Sequence, residues 1–120
     1  GDALRNNTTL PHETGHYFLL YHTHGKTNTG TTDEMVDGDN CSCGGDDVCD
    51  TPADPNLFGN VVDAACRYIG GKVDGRGQPY KPDPTNLMSY AHRCRLSFTK
   101  GQYNRMRWAG LKFRNYIMKP

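Results

Sequence analysis

No run of about 18 apolar residues occurs in the 120-residue chain, so no segment has the length and hydrophobicity of a membrane-spanning helix. No apolar leader opens it either: a polar stretch follows Gly1, and the chain reads as a mature, soluble piece. Apolar residues make up only 35% of the sequence while Gly and Pro number 14 and 7, so a thin core and much loop are expected. Acidic residues are missing after Asp83, and eight of the 13 fall between Asp33 and Asp54. The tail therefore carries only positive charge, on Arg93, Arg95, Lys100, Arg105, Arg107, Lys112, Arg114 and Lys119. With a net charge of only +1 and no aromatic stacking motif, this run reads as a solvated helix face, and neither a nucleic-acid nor a membrane partner is expected.

What the chain does have is five cysteines, Cys41, Cys43, Cys49, Cys66 and Cys94. That density in so short a chain points to secretion into an oxidising, extracellular compartment, where disulfides and metals support what a thin core cannot. Five cannot all pair internally. The C-x-C spacing of Cys41 and Cys43 lacks a matching second pair, which argues against a cysteine-held zinc.

The chain is expected to be one catalytic domain or subdomain spanning 1–120. A helix is predicted over 8–22, running from Thr8 to about Tyr21, with Asn7 or Thr8 as cap, Pro11 tolerated in the first turn, and Leu10, Thr14, Tyr17, Phe18 and Tyr21 as its packing side. Residues 24–86 are rich in Gly, Asp, Thr, Asn and Pro and read as irregular loop. A second helix is predicted over 99–118, with Thr99 and Gln102 as a capping box and Phe98 and Tyr103 as a hydrophobic staple. Its apolar stripe is Tyr103, Met106, Gly110, Phe113 and Ile117.

Residues 12–22 read HETGHYFLLYH. Helical i, i+4 spacing puts His12 and His16 one turn apart on one face, which suits two nitrogens on one metal. Glu13, one position past the first histidine, is angled to reach a water beside the metal without ligating it. His22 lies too far along a continuous helix to return to the same point, so the helix must end and turn before it. Three neutral imidazoles leave one position to water, whose pKa on zinc falls to roughly 7. This pattern predicts amide hydrolysis with Glu13 as general base. His24 and His92 read as loop or surface histidines.

The zinc segment HETGHYFLLYHTH, the loop DDVCDTPAD, the segment NLMSYAHRC and the lead LSFTKGQYNRMR together resemble the pappalysin family of metzincin zinc metallopeptidases, specifically the C-terminal part of the catalytic domain. The resemblance implies an α+β metzincin-like fold, a secreted zinc endopeptidase and a protein or peptide substrate. Residues 87–94 would form the methionine turn, with Met88 as the hydrophobic base under the zinc and Tyr90 hydrogen-bonding the transition-state oxyanion. It also implies a Cys66–Cys94 disulfide, and a second from Cys49 to either Cys41 or Cys43. Calcium is implied in the central loop, with Asp46, Asp47, Asp50 and Thr51 as ligands; a plain solvated acidic loop is the alternative. The loop is not an EF-hand, because Met35 and Gly44 stand where that pattern needs oxygen ligands.

Three departures from the family pattern carry expectations of their own. Leu19 stands where the family signature has Gly, at an expected strain of roughly 1–2 kcal/mol in a left-handed conformation. Only eleven residues precede His12, so the family's N-terminal sheet is expected to be largely missing, with a missing N-terminal portion of the same protein as an expected partner. A zinc-binding scaffold or an inactive fragment lacking the upper half of the cleft is the alternative function. Finally, Ala91, His92 and Arg93 occupy a stretch that is acidic in pappalysins cleaving beside Arg or Lys. If Arg93 faces the pocket after the scissile bond, basic side chains are disfavoured there and Asp or Glu is accepted.

Overall fold

Two helices frame the structure, α1 (Thr9–Tyr17) and α2 (Lys100–Phe113). The computed structural model describes residues 8–114. Among these no strand forms, and pairing is limited to isolated bridges such as His22 with Gly25 and Asn86 with Ser97. Any sheet ahead of α1 would fall outside the described residues.

Helix α1 is shorter than the sequence pattern predicts, ending at Tyr17 rather than Tyr21. The reason is Leu19, which adopts φ +70° and so reverses the chain. Leu20 N–H then donates to Gly15 O at 2.9 Å and Leu19 N–H to His16 O at 3.0 Å, the paired closing bonds of a Schellman turn. Glycine is the usual occupant of this left-handed position, and a Cβ there is unfavourable. At the other end Thr8 makes no side-chain capping bond, and Asn7 lies outside the described residues. The predicted packing side is also corrected. Leu10 and Tyr17 are exposed, whereas His12 and Gly15 are the buried positions of α1. The face that carries His12 and Gly15 is the face that packs, so hydrophobic pattern alone selects the wrong side.

Helix α2 starts at the predicted capping box: Thr99 Oγ1 accepts from Gln102 N–H at 3.1 Å, and Gln102 Oε1 accepts from Thr99 N–H at 2.9 Å. The rings of Phe98 and Tyr103 meet at 5.5 Å. Asp50 adds a carboxylate from the distant loop, accepting from Thr99 Oγ1 at 2.7 Å and Gly101 N–H at 2.8 Å. A negative charge at a helix N-terminus is favourable. The helix ends at Phe113 with Arg114 as cap; the remainder of the predicted span, 115–118, lies outside the described residues. Of its predicted stripe, Gly110 is buried and Met106 half-buried, while Tyr103 and Phe113 are exposed and Ile117 lies outside the described residues. Gln102, Ala109 and Gly110 are the residues that pack.

Between the helices, covalent bonds and Asp side chains do what regular structure does elsewhere. Disulfides join Cys41 to Cys49 and Cys66 to Cys94, and Cys43 is free and exposed. The second disulfide lies in a small core of Leu57, Ala91 and Cys94 against Val61, Val62, Cys66 and Tyr68. Asp74 accepts backbone N–H groups of Val36, Arg76 and Gln78, each at 2.9 Å. Such Asp-to-backbone bonds satisfy polar groups that have no ladder to join.

Candidate metal centre

Three imidazoles converge above the end of α1. His16 Nε2 lies 3.2 Å from His12 Nε2 and 3.0 Å from His22 Nε2. The far nitrogens of two of these rings are engaged with backbone carbonyls: His12 Nδ1–H donates to Leu87 O at 2.7 Å and His16 Nδ1–H to Leu20 O at 2.9 Å. Those bonds fix two of the tautomers, so the Nε2 atoms of His12 and His16 turn lone pairs toward each other. Lone pairs this close repel unless a cation lies between them, and the trio has the arrangement that could hold a metal ion. Burial lowers the pKa of His12, and burial together with the neighbouring imidazoles brings His22 down to about 3. Both rings are therefore neutral at pH 7, as a ligand must be.

The chain reversal at Leu19 is what returns His22 to the two histidines of α1. Against α1 at Gly15 sits Met88, fully buried at 0% exposure. A Cβ on Gly15 would meet Met88 Sδ at 2.5 Å, so the glycine allows α1 to rest directly on the methionine. Met88 is held in turn: its N–H donates to Asn86 Oδ1 at 2.9 Å, and its carbonyl accepts from Thr23 N–H at 3.1 Å. Asn86 and Gln102 exchange two side-chain bonds, 2.8 and 3.0 Å, tying this turn to α2.

An open cleft of about 460 Å3 lies over the rings, lined also by Glu13, Asn28, Tyr90, His92 and Arg95. Glu13 is exposed to it from α1. Tyr90 OH donates to Asn28 Oδ1 at 3.3 Å, and its ring lies 4.4 Å from His22. Burial raises the Tyr90 pKa, so the phenol keeps its proton and remains a donor at neutral pH. Among the described residues no fourth His, Cys, Asp or Glu joins the three histidines.

Of the remaining basic residues, His24 and Arg95 are buried against expectation, whereas His92 is exposed as expected. Arg93 is exposed and lines a neighbouring cavity of about 570 Å3 that also contains Asp63, Tyr90 and His92. His24 is buried at 1% exposure, its ring stacked 5.3 Å from His22 and its Nε2 bonded to Thr27 O at 2.6 Å. His92 is exposed and stacks 5.9 Å from Tyr90. Arg95, read in the sequence as part of a solvated basic run, is buried in the cleft. Gly15, Asn28 and Arg95 gave no recognisable signal beforehand, since each acts through a neighbour distant in sequence.

The acidic loop divides its charges. Asp47 pairs with Lys26 at 2.9 Å, and Asp50 caps α2. Asp46 is buried and accepts from Thr51 Oγ1 at 2.7 and 2.8 Å and from Val48 N–H at 3.0 Å. Glu34, 2% exposed and not singled out in the sequence, has an Oε1 with no hydrogen-bond partner. Burial, reinforced by Asp46 and other nearby acids, raises the Glu34 pKa to about 8; burial raises that of Asp46 to about 7.

Fold and site together define a small, disulfide-stapled chain with a three-histidine centre open to solvent. The two disulfides point to an oxidising or extracellular environment, and no described helix is long and apolar enough to cross a membrane. No protein-family model, curated protein or solved structure matches the chain.

Proposed function

We propose that the chain carries the metal site of a secreted zinc endopeptidase of the pappalysin type of metzincin, acting on protein or peptide substrates. The observation that carries this reading is the convergence of three histidine Nε2 atoms, with spacings of 3.2 and 3.0 Å, in an open cleft that also holds Glu13. A tetrahedron with zinc–nitrogen bonds near 2.05 Å has edges of about 3.3 Å, so the spacing suits zinc, as do three neutral imidazole donors. A purely structural zinc site would use a fourth protein ligand.

When bound, zinc would supply Lewis acidity, lowering the pKa of water toward neutrality and polarising a carbonyl. Glu13 accepts the proton of the attacking water and returns it to the departing amine. The Tyr90 hydroxyl, held by Asn28, donates to the oxygen of the carbonyl under attack as charge develops there. Leu87 O and Leu20 O keep His12 and His16 in the ligating tautomer.

Calcium in the acidic loop belongs to the same proposal: of the expected ligands Asp47 is paired with Lys26 and Asp50 caps α2, which leaves Asp46 and Thr51, with Glu34 as an added ligand. Its support is the orphaned, buried Oε1 of Glu34, which a hard cation would satisfy.

The test is hydrolysis of quenched fluorescent casein by the purified chain, with and without a zinc chelator, beside Glu13→Ala, with metal content measured on both proteins. Activity lost in chelator and in the variant supports the reading. One zinc per chain with no hydrolysis would make the chain a metal-binding scaffold instead.

A further inference from the structure

We infer that Arg95 is a carboxylate-binding residue of the metal cleft, which gives the site a preference for peptides with an acidic group beside the bond to be cleaved. The cleavage half of this statement rests on the peptidase reading; carboxylate binding by Arg95 does not.

Arg95 follows Cys94, whose disulfide to Cys66 anchors the backbone. Its side chain folds back under the turn that carries Tyr90, where Nε–H donates to Ser89 O at 2.8 Å. It is only 6% exposed, yet it lines the same cleft as His12, Glu13 and Tyr90. A buried arginine is ordinarily paired with an anion, because desolvating a guanidinium without one is costly. Among the described residues Arg95 has no such partner: the ion pairs join Lys26 to Asp47, Arg67 to Asp63, and Arg76 to Asp37 and Asp39. Glu13 lies in its field but makes no ion pair with it.

Nε–H is committed to Ser89, and the terminal amino groups have no acceptor among the described residues. Their planar fork matches the two oxygens of a carboxylate. Among the described residues Glu13 is the only acidic side chain lining the cleft, and because it makes no ion pair with Arg95 it leaves the fork open to an outside carboxylate. The carboxylate could belong to an Asp or Glu side chain or to a free peptide C-terminus, and both present the same two oxygens.

Binding is read by fluorescence anisotropy of labelled hexapeptides, a Glu peptide against its Gln analogue, each with a free or amidated C-terminus, on the full chain with zinc and in chelator. The same four peptides, quenched, give kcat/KM. A charged hydrogen bond is worth about 10- to 100-fold in affinity. The expected result is a preference of that size for a carboxylate, erased by Arg95→Gln with little change for the neutral peptide and partly kept by Arg95→Lys. The two sources are told apart by whether amidation or the Glu-to-Gln change removes the preference.

Equal binding of acidic and neutral peptides by the unmodified chain would overturn the inference without need of a variant. So would an Arg95→Gln loss shared equally by both peptides, the mark of a brace for Ser89. Hydrolysis without carboxylate preference would leave the peptidase reading standing and sink this one. Arg95-dependent binding with no hydrolysis would do the reverse, and neither binding nor hydrolysis would sink both.

Discussion

Gly15 lies between His12 and His16 of α1, and the contact a Cβ would make there is with Sδ of the fully buried Met88. Overpacking of this kind costs about 1–3 kcal/mol. Gly15→Ala is therefore expected to lower the melting temperature and weaken metal binding, as read by thermal unfolding and by competition with a chromogenic chelator. Unchanged affinity would mean that α1 does not depend on the methionine for its position. Leu19 is the opposite case. Its φ of +70° is a conformation that glycine adopts freely, so Leu19→Gly is expected to stabilise the protein by about 1 kcal/mol in chemical denaturation. A loss of stability would show that its side chain is worth more in place than the backbone strain costs.

At the scale of elements, α2 is defined by its first turn, and that turn is wired to the segment that carries Met88. Gln102 caps the helix through Thr99 and exchanges two bonds with Asn86, whose Oδ1 also accepts from Met88 N–H. Removing the amide leaves buried groups unsatisfied, at about 1–3 kcal/mol each. Gln102→Ala is expected to destabilise the protein by at least that much and to loosen the methionine turn, which heteronuclear NMR shifts at Met88 would report. Thr99→Ala removes the hydroxyl shared by the cap and Asp50, with an expected cost of about 1 kcal/mol. The capping box was legible beforehand because its residues are three apart. The partners Asp50 and Asn86 were not, because nothing local links them to α2.

For the molecule as a whole, the buried carboxylates set a pH dependence whose sign follows from their environment. Burial holds Glu34 at about 8 and Asp46 at about 7, above their ordinary values of 4.5 and 3.8. The folded chain therefore keeps protons that the unfolded chain has released, and this contribution to stability is present below about pH 4 and lost as pH rises through 7 to 8. Measured in chelator, Glu34→Gln is expected to fall less steeply than the unmodified chain between pH 5 and 8. Calcium at 100 times its dissociation constant would return about 2.7 kcal/mol, most effectively at the alkaline end where the carboxylates are ionised. Thermal unfolding across pH, with and without calcium, checks both statements. No calcium effect at pH 8 would remove the ion from the proposal and leave an acidic loop shaped by its hydrogen bonds.

The sequence by itself determined what depends on fixed short spacing: the i, i+4 pair His12 and His16, Glu13 beside them, the need to leave the helix before His22, and the cap of α2. Backbone geometry converts such intervals into positions with little freedom. Only the tertiary structure decided which cysteine, Cys41, pairs with Cys49, that Asp47 and Asp50 are committed to Lys26 and to α2, and that Glu34 and Arg95 are buried without counterions. Those outcomes depend on which distant segments meet in a chain with no sheet among its described residues, and neither residue type nor local spacing records that encounter.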